Sequence, residues 1–167
     1  MGLKDEQKIM IALAVGYYYM NYSKNEEYSK NEEYSKNEEY TNRGLAKHNI
    51  VMGATSMSFS PRILEISQGD LVEFIPANNY HNTESINGMI PPKARGWRSK
   101  KGKAIILKFD IPGFYGYKCT SHYNEGMVGL IIVKGKGMEH NYDRARSIRH
   151  SGRASKVFNK IWKTINL

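Results

Sequence analysis

Cys119-Thr120-Ser121-His122-Tyr123-Asn124-Glu125-Gly126-Met127 is the stretch on which the fold is read. It holds the one cysteine of a 167-residue chain, with a histidine three residues on and a methionine five beyond that. Thiolate, imidazole and thioether are donors that suit copper. Two histidines and a cysteine with a weak, distant methionine make a blue-copper electron-transfer site. The stretch itself supplies one histidine. His81, in Tyr80-His81-Asn82, is the best second one. The expected centre is therefore a single copper ion, cycling between Cu(I) and Cu(II), held by His81, Cys119, His122 and Met127.

Working outward, the flanks of this stretch read as two strands. Phe114 to Cys119 alternates, with Tyr115, Tyr117 and Cys119 on one face. Val128 to Val133 is almost continuously apolar, the pattern of a strand covered on both faces. Cys119 would end the first strand and Met127 would open the second, so the loop between them carries His122 over the metal. His81 lies 38 residues upstream of Cys119 and would pin that loop to the body of the fold. Earlier candidates are Ile50 to Met52, a pair of strands either side of Ser67-Gln68-Gly69-Asp70, and Lys103 to Phe109 with Ala104, Ile106 and Lys108 on one face. Six or seven short strands at this spacing predict an all-β Greek-key sandwich or barrel over residues 44–137.

Past Gly137 the period changes to that of a helix. Ala154, Val157, Phe158, Ile161, Trp162 and Ile165 share one face, opposite Arg153, Lys156, Lys160 and Lys163. A shorter helix is expected over residues 141–149. Both are expected to pack on the sandwich rather than lie on a membrane, giving a C-terminal helical segment over residues 138–167.

The N-terminal part has a different texture. Residues 9–20 are an apolar run of signal-peptide length, too short to span a bilayer comfortably. Residues 1–21 are therefore expected to direct export to the periplasm, cleaved or kept as a short anchor. Residues 22–39 repeat Tyr-Ser-Lys-Asn-Glu-Glu three times. A six-residue period offers no apolar stripe to bury, so residues 22–43 read as a disordered acidic linker.

Composition narrows the function classes. A single cysteine excludes an internal disulfide, a two-cysteine copper centre and a cysteine-rich zinc module. Five histidines are too few for a chain that adds a multi-histidine catalytic copper site. The formal charge of +9 is uneven: −3 over residues 22–39 and +11 over residues 44–167. A domain this basic steers toward an acidic partner. Nucleic acid has the charge argument but no recognition motif, and export would forbid it. A nucleophilic Cys119 with His81 or His122 as base is the enzymatic alternative. Met127 and the all-β texture weigh against it, so no catalytic residue is assigned. A periplasmic copper-delivery protein is a further alternative, although exposed Met- or His-rich ligands would suit that role better. His48, His140 and His150 receive no role.

From about Lys47 onward the chain resembles the pseudoazurins, a branch of the cupredoxins. The resemblance rests on Met57-Ser58-Phe59-Ser60-Pro61, Gln68-Gly69-Asp70, Phe74-Ile75-Pro76, His81-Asn82-Thr83-Glu84-Ser85-Ile86, Met89-Ile90-Pro91, and Tyr117-Lys118-Cys119-Thr120-Ser121-His122 through Gly126-Met127-Val128. It implies an eight-stranded cupredoxin Greek-key β-sandwich with two C-terminal helices, a periplasmic location and one-electron shuttling as a monomer. It also implies an acidic redox partner such as copper nitrite reductase. Asn82 would bond across the two ligand loops beside Thr120, and Met57 would pack beside a histidine ligand. Ser121 stands where the family usually has proline. The segment between Met52 and Met57 looks short, which bears on the rim near the copper. The basic run Lys93, Arg95, Arg98, Lys100, Lys101 and Lys103 would dock the partner.

Overall fold

The computed structural model describes residues 44–53 and 56–165. The readings of residues 1–43 as export segment and acidic linker lie outside the described residues. The described residues from Leu45 onward form one compact unit.

Among the described residues, eight strands form two four-stranded sheets. They are β1 Lys47–Met52, β2 Phe59–Ser60, β3 Ile63–Ser67, β4 Leu71–Pro76, β5 Glu84–Ser85, β6 Ile105–Lys108, β7 Gly113–Lys118 and β8 Val128–Lys134. One sheet runs β2-β1-β4-β6 and the other β3-β8-β7-β5. The pairs β1–β4 and β3–β8 are parallel and the rest antiparallel. The face-to-face sheets make the expected cupredoxin sandwich.

Two apolar clusters explain the sequence texture of β7 and β8. Between the sheets lie Tyr115, Tyr117, Cys119, Ile131 and Val133, packed with Ile50, Phe59, Phe74 and Met127. On the other face Phe114, Val128, Leu130 and Ile132 are covered by Met89, Ala154, Phe158, Ile161 and Trp162. Successive strand residues point to opposite faces. A strand covered twice must therefore be apolar at every position. Gly129 is the exception that proves useful: it faces Tyr117 across the ladder, and a β-carbon there would strike the phenol ring.

The helical segment is shorter than expected in its first part. A 3-10 turn, Met138–Asn141, leads into α1, Tyr142–Ser147, and the extended Ile148 ends it. The second helix, α2, spans Gly152–Lys163 and buries Ala154, Phe158, Ile161 and Trp162 on the sheet. Burying four such residues contributes several kcal/mol, at about 1.5–3 kcal/mol for each large side chain. The helix thus packs by its apolar stripe, with Lys156, Lys160 and Lys163 in solvent.

Asn141 is the join between helices and sheet. Its Oδ1 accepts from the Phe114 amide at 2.9 Å and its Nδ2 donates to the Phe114 carbonyl at 2.8 Å. The neighbour strand β5 pairs with β7 only near Ser85 and Tyr117. At Phe114 the carboxamide therefore stands in for a missing strand. Residues 103–109 differ from expectation. Only Ile105–Lys108 pair, on the sheet edge, and the face shared by Ile106 and Lys108 is the solvent face, with Ile106 52% exposed. Ile105 and Leu107 pack on the core instead. An edge strand carrying outward lysine is protected from pairing with another chain.

Candidate metal centre

The ligand loop, residues 119–127, is closed by its own backbone. The Cys119 amide donates to the Met127 carbonyl at 3.0 Å, and the Met127 amide donates to the His122 carbonyl at 2.9 Å. Each end of the loop thereby continues a strand: Cys119 leaves β7 and Met127 enters β8. The His81 loop is held separately. The His81 carbonyl accepts from Gly102 at 2.9 Å, and Thr83 and Ser99 exchange hydrogen bonds at 2.9 and 3.1 Å. The Trp97 indole donates to the Thr83 hydroxyl at 3.1 Å.

These two supports bring three donors together. Cys119 Sγ lies 3.7 Å from His122 Nδ1 and 4.0 Å from His81 Nδ1. All three ligand atoms fall within 4.8 Å of one another. First-row metal bonds of about 2.0 Å to nitrogen and 2.3 Å to sulfur place such donors roughly 3.5–3.8 Å apart at tetrahedral-to-trigonal angles. The spacing therefore fits a single ion. Met127 is fully buried in the same cluster as Cys119. A thiol, two imidazoles and a thioether are a copper-type donor set rather than a calcium or magnesium one.

The environment is dry and favours the neutral form of His81. His81 is 6% exposed and Cys119 fully buried, whereas His122 is only half-buried. Burial, with the neighbouring His122 adding to it, pushes the His81 pKa below the usual imidazole value. A neutral imidazole is what a metal binds. The two rings lie 4.9 Å apart between centroids and are tilted by 58°.

Asn82 joins the two loops as expected. Its Oδ1 accepts from the Thr120 amide at 3.0 Å and the Thr120 hydroxyl at 2.9 Å, and its Nδ2 donates to the Ser99 carbonyl at 3.3 Å. The same oxygen lies 3.6 Å from Cys119 Sγ. Ser121 is exposed at the turn of the loop, and Met57 is 52% exposed. The docking candidates Lys93, Arg95, Arg98, Lys100, Lys101 and Lys103 are all exposed. Arg98, Lys100 and Lys101 line a groove with Asn82, Ser99 and Thr120, while Lys93 and Arg95 do not border it. Arg98 also approaches Glu84 at 3.8 Å.

Two contributors escape the sequence reading. Gly53, with φ of 79°, backs onto the His81 ring, and a β-carbon there would overlap Nε2. The absence of a side chain lets that ring turn Nδ1 toward Cys119. A lone glycine after a strand gave no signal of this. Ser99 anchors both Thr83 and Asn82, yet the sequence shows only a serine inside a basic run.

The sequence profile described as copper binding proteins, plastocyanin/azurin family, matches residues 46–134. A pseudoazurin of Methylorubrum extorquens is 35% identical over 109 residues, covering 65% of this chain and 72% of that protein. A pseudoazurin of Paracoccus pantotrophus is 36% identical over 94 residues, covering 56% of this chain and 63% of that one. The crystal structure of the pseudoazurin from Methylobacterium extorquens AM1 superposes with a TM-score of 0.67 at 31% identity, covering 72% of this chain and 99% of that structure.

Proposed function

The chain belongs to the plastocyanin/azurin family of copper-binding proteins, and on that premise we propose that it is a periplasmic blue-copper electron carrier of the pseudoazurin type. One observation carries the reading: His81, Cys119 and His122 stand within 4.8 Å of one another on a closed loop and a separately braced one. His81, Cys119, His122 and Met127 are the ligands. Bound copper supplies the one-electron couple. The chain's part is to hold the donors still, because Cu(I) and Cu(II) prefer different geometries and a rigid set keeps reorganisation small. Burial of Cys119 and His81 excludes water, and the Asn82 bonds tie both loops together. A closed, buried donor set suits a carrier better than a protein that hands its metal on.

His122 is the ligand nearest solvent, so it is the exit for the electron. The partner is an acidic redox protein, with copper nitrite reductase as an example, met by the exposed Arg98, Lys100 and Lys101 and their basic neighbours. The carrier acts as a monomer. Export rests on the apolar run at residues 9–20.

Addition of Cu(II) to the copper-free protein tests the site. An intense thiolate-to-copper absorption toward the red end of the visible is expected, and its loss in Cys119→Ser. Weak ligand-field absorption alone would refute the assignment. Transfer to an acidic acceptor should slow steeply with salt, and a flat dependence would remove the docking role.

A further inference from the structure

The ligand loop is gripped from outside the sandwich as well as from within. The Tyr123 hydroxyl lies 2.8 Å from His150 Nδ1, although 27 residues separate them. The His150 ring stacks on Phe158 of α2, with centroids 4.1 Å apart and planes 22° from parallel. Beside it the Asn124 carbonyl accepts from the Arg153 amide at 2.8 Å. The Ser151 hydroxyl donates to Asn124 Oδ1 at 2.7 Å. This is unusual use of a helix start. Ser151 sits at the N-cap of α2 but makes no side-chain cap bond to its own helix. A first-turn amide, otherwise orphaned, is capped by the loop instead.

The consequences reach the donors directly. Tyr123 follows His122, and its carbonyl accepts from Gly126 at 2.9 Å. The His122 carbonyl accepts from Met127. Gly126 itself backs onto Val157 and Arg153, and its φ of 90° suits glycine. Displacing Tyr123 therefore displaces the acceptors that hold Gly126 and Met127, one of them the carbonyl of His122 itself.

We infer that residues 150–153, at the start of α2, are a clamp on the metal-ligand loop, with His150 a positioning residue that holds Tyr123, and through it His122, whether or not copper is bound. The inference rests on the proposed ligand assignment for its functional meaning. The second histidine nitrogen, Nε2, is buried with no hydrogen-bond partner among the described residues. The ring is therefore kept for stacking and for the single bond to Tyr123.

Amide hydrogen exchange of the copper-free protein tests the clamp without the metal. Tyr123→Phe removes only the hydroxyl, and His150→Leu removes its partner. Each should speed exchange at Gly126 and Met127 about three- to tenfold, the equivalent of one hydrogen bond. The double variant should add no more, because the pair acts as a unit. Amides of β8 beyond the loop should be unchanged. Unaltered Gly126 and Met127 exchange in Tyr123→Phe, whose ring packing is kept, would overturn the clamp, as would equal acceleration throughout β8. With Cu(II) added, Tyr123→Phe should change the relative intensities of the visible bands, and an identical spectrum would overturn the link to His122. A wild-type protein with no intense thiolate band would refute the copper reading while leaving the exchange result to decide the clamp.

Discussion

Replacing Asn82 with alanine cuts a side chain that bonds across the two ligand loops. The loss can be worked through atom by atom. Oδ1 serves the Thr120 amide and hydroxyl, and Nδ2 serves the Ser99 carbonyl. The hydroxyl can rotate to another acceptor, so its loss costs little. The Thr120 amide and the Ser99 carbonyl have no such freedom. Asn82 is itself 2% exposed, so water reaches these groups poorly. A buried polar group left without its partner costs about 1–3 kcal/mol, with the half-buried Thr120 toward the low end. The sum for Asn82→Ala is about 2–4 kcal/mol. Thr120→Val, which removes only the hydroxyl bond, should cost about 1 kcal/mol.

Urea unfolding of the copper-free protein reads these values directly. At an m-value of about 2 kcal/mol/M the Asn82→Ala midpoint should fall by roughly 1–2 M. Copper should recover part of the loss, because a metal joins the same two loops and binds only the folded chain. A loss under about 0.5 kcal/mol, the range of an ordinary surface substitution, would refute the argument that Asn82 carries the inter-loop connection.

Three further outcomes are expected. Asn141→Ala orphans both the amide and the carbonyl of buried Phe114, so equilibrium unfolding should show about 2–5 kcal/mol lost, and a loss below 1 kcal/mol would mean the sheet edge is satisfied otherwise. Burial holds the His150 pKa below its ordinary value of about 6.5. The unfolded chain then takes up its proton first, so this contribution is absent at pH 8 and lowers stability as pH falls through about 6.5, levelling off below the folded pKa. Comparing copper-free wild type with His150→Phe isolates it from His81, which shifts the same way; parallel pH profiles for the two would contradict the assignment. Ser121→Pro should shift the reduction potential measured by voltammetry, and equal potentials would show that the residue is electrochemically silent.

What could be read from the sequence was whatever a local period or spacing records. Tyr115, Tyr117 and Cys119 alternate because one face of β7 meets the core, and β8 is apolar throughout because both its faces are covered. Cys119, His122 and Met127 were legible together because one short loop carries them all. His81 was harder: nothing local distinguishes it from His48, and the adjoining Asn82 and the family pattern singled it out. The period of two over residues 104–108 was legible, but not which side of the sheet its faces meet. Ile106 is apolar, yet it sits on an edge strand where the outer face meets water. The roles of Asn141, Gly53 and His150 depend on partners 27 or more residues away, so no local pattern could show them.

Ser121 is the departure from the family pattern, and the contacts around it bear on what it costs. A proline in that turn would stabilise by about 0.4–1 kcal/mol, mostly by restricting the unfolded chain. The folded loop instead has the Thr120 amide on Asn82, the Asn124 carbonyl on Arg153 and the Tyr123 hydroxyl on His150. Each such bond contributes about 0.5–1.5 kcal/mol net, and together they outweigh one ring. They also act on the native state, which a proline does chiefly at second hand. A serine at this exposed turn therefore does not leave the loop slack. A shift of potential in Ser121→Pro that comes from the lost hydroxyl should be reproduced by Ser121→Ala, which adds no ring.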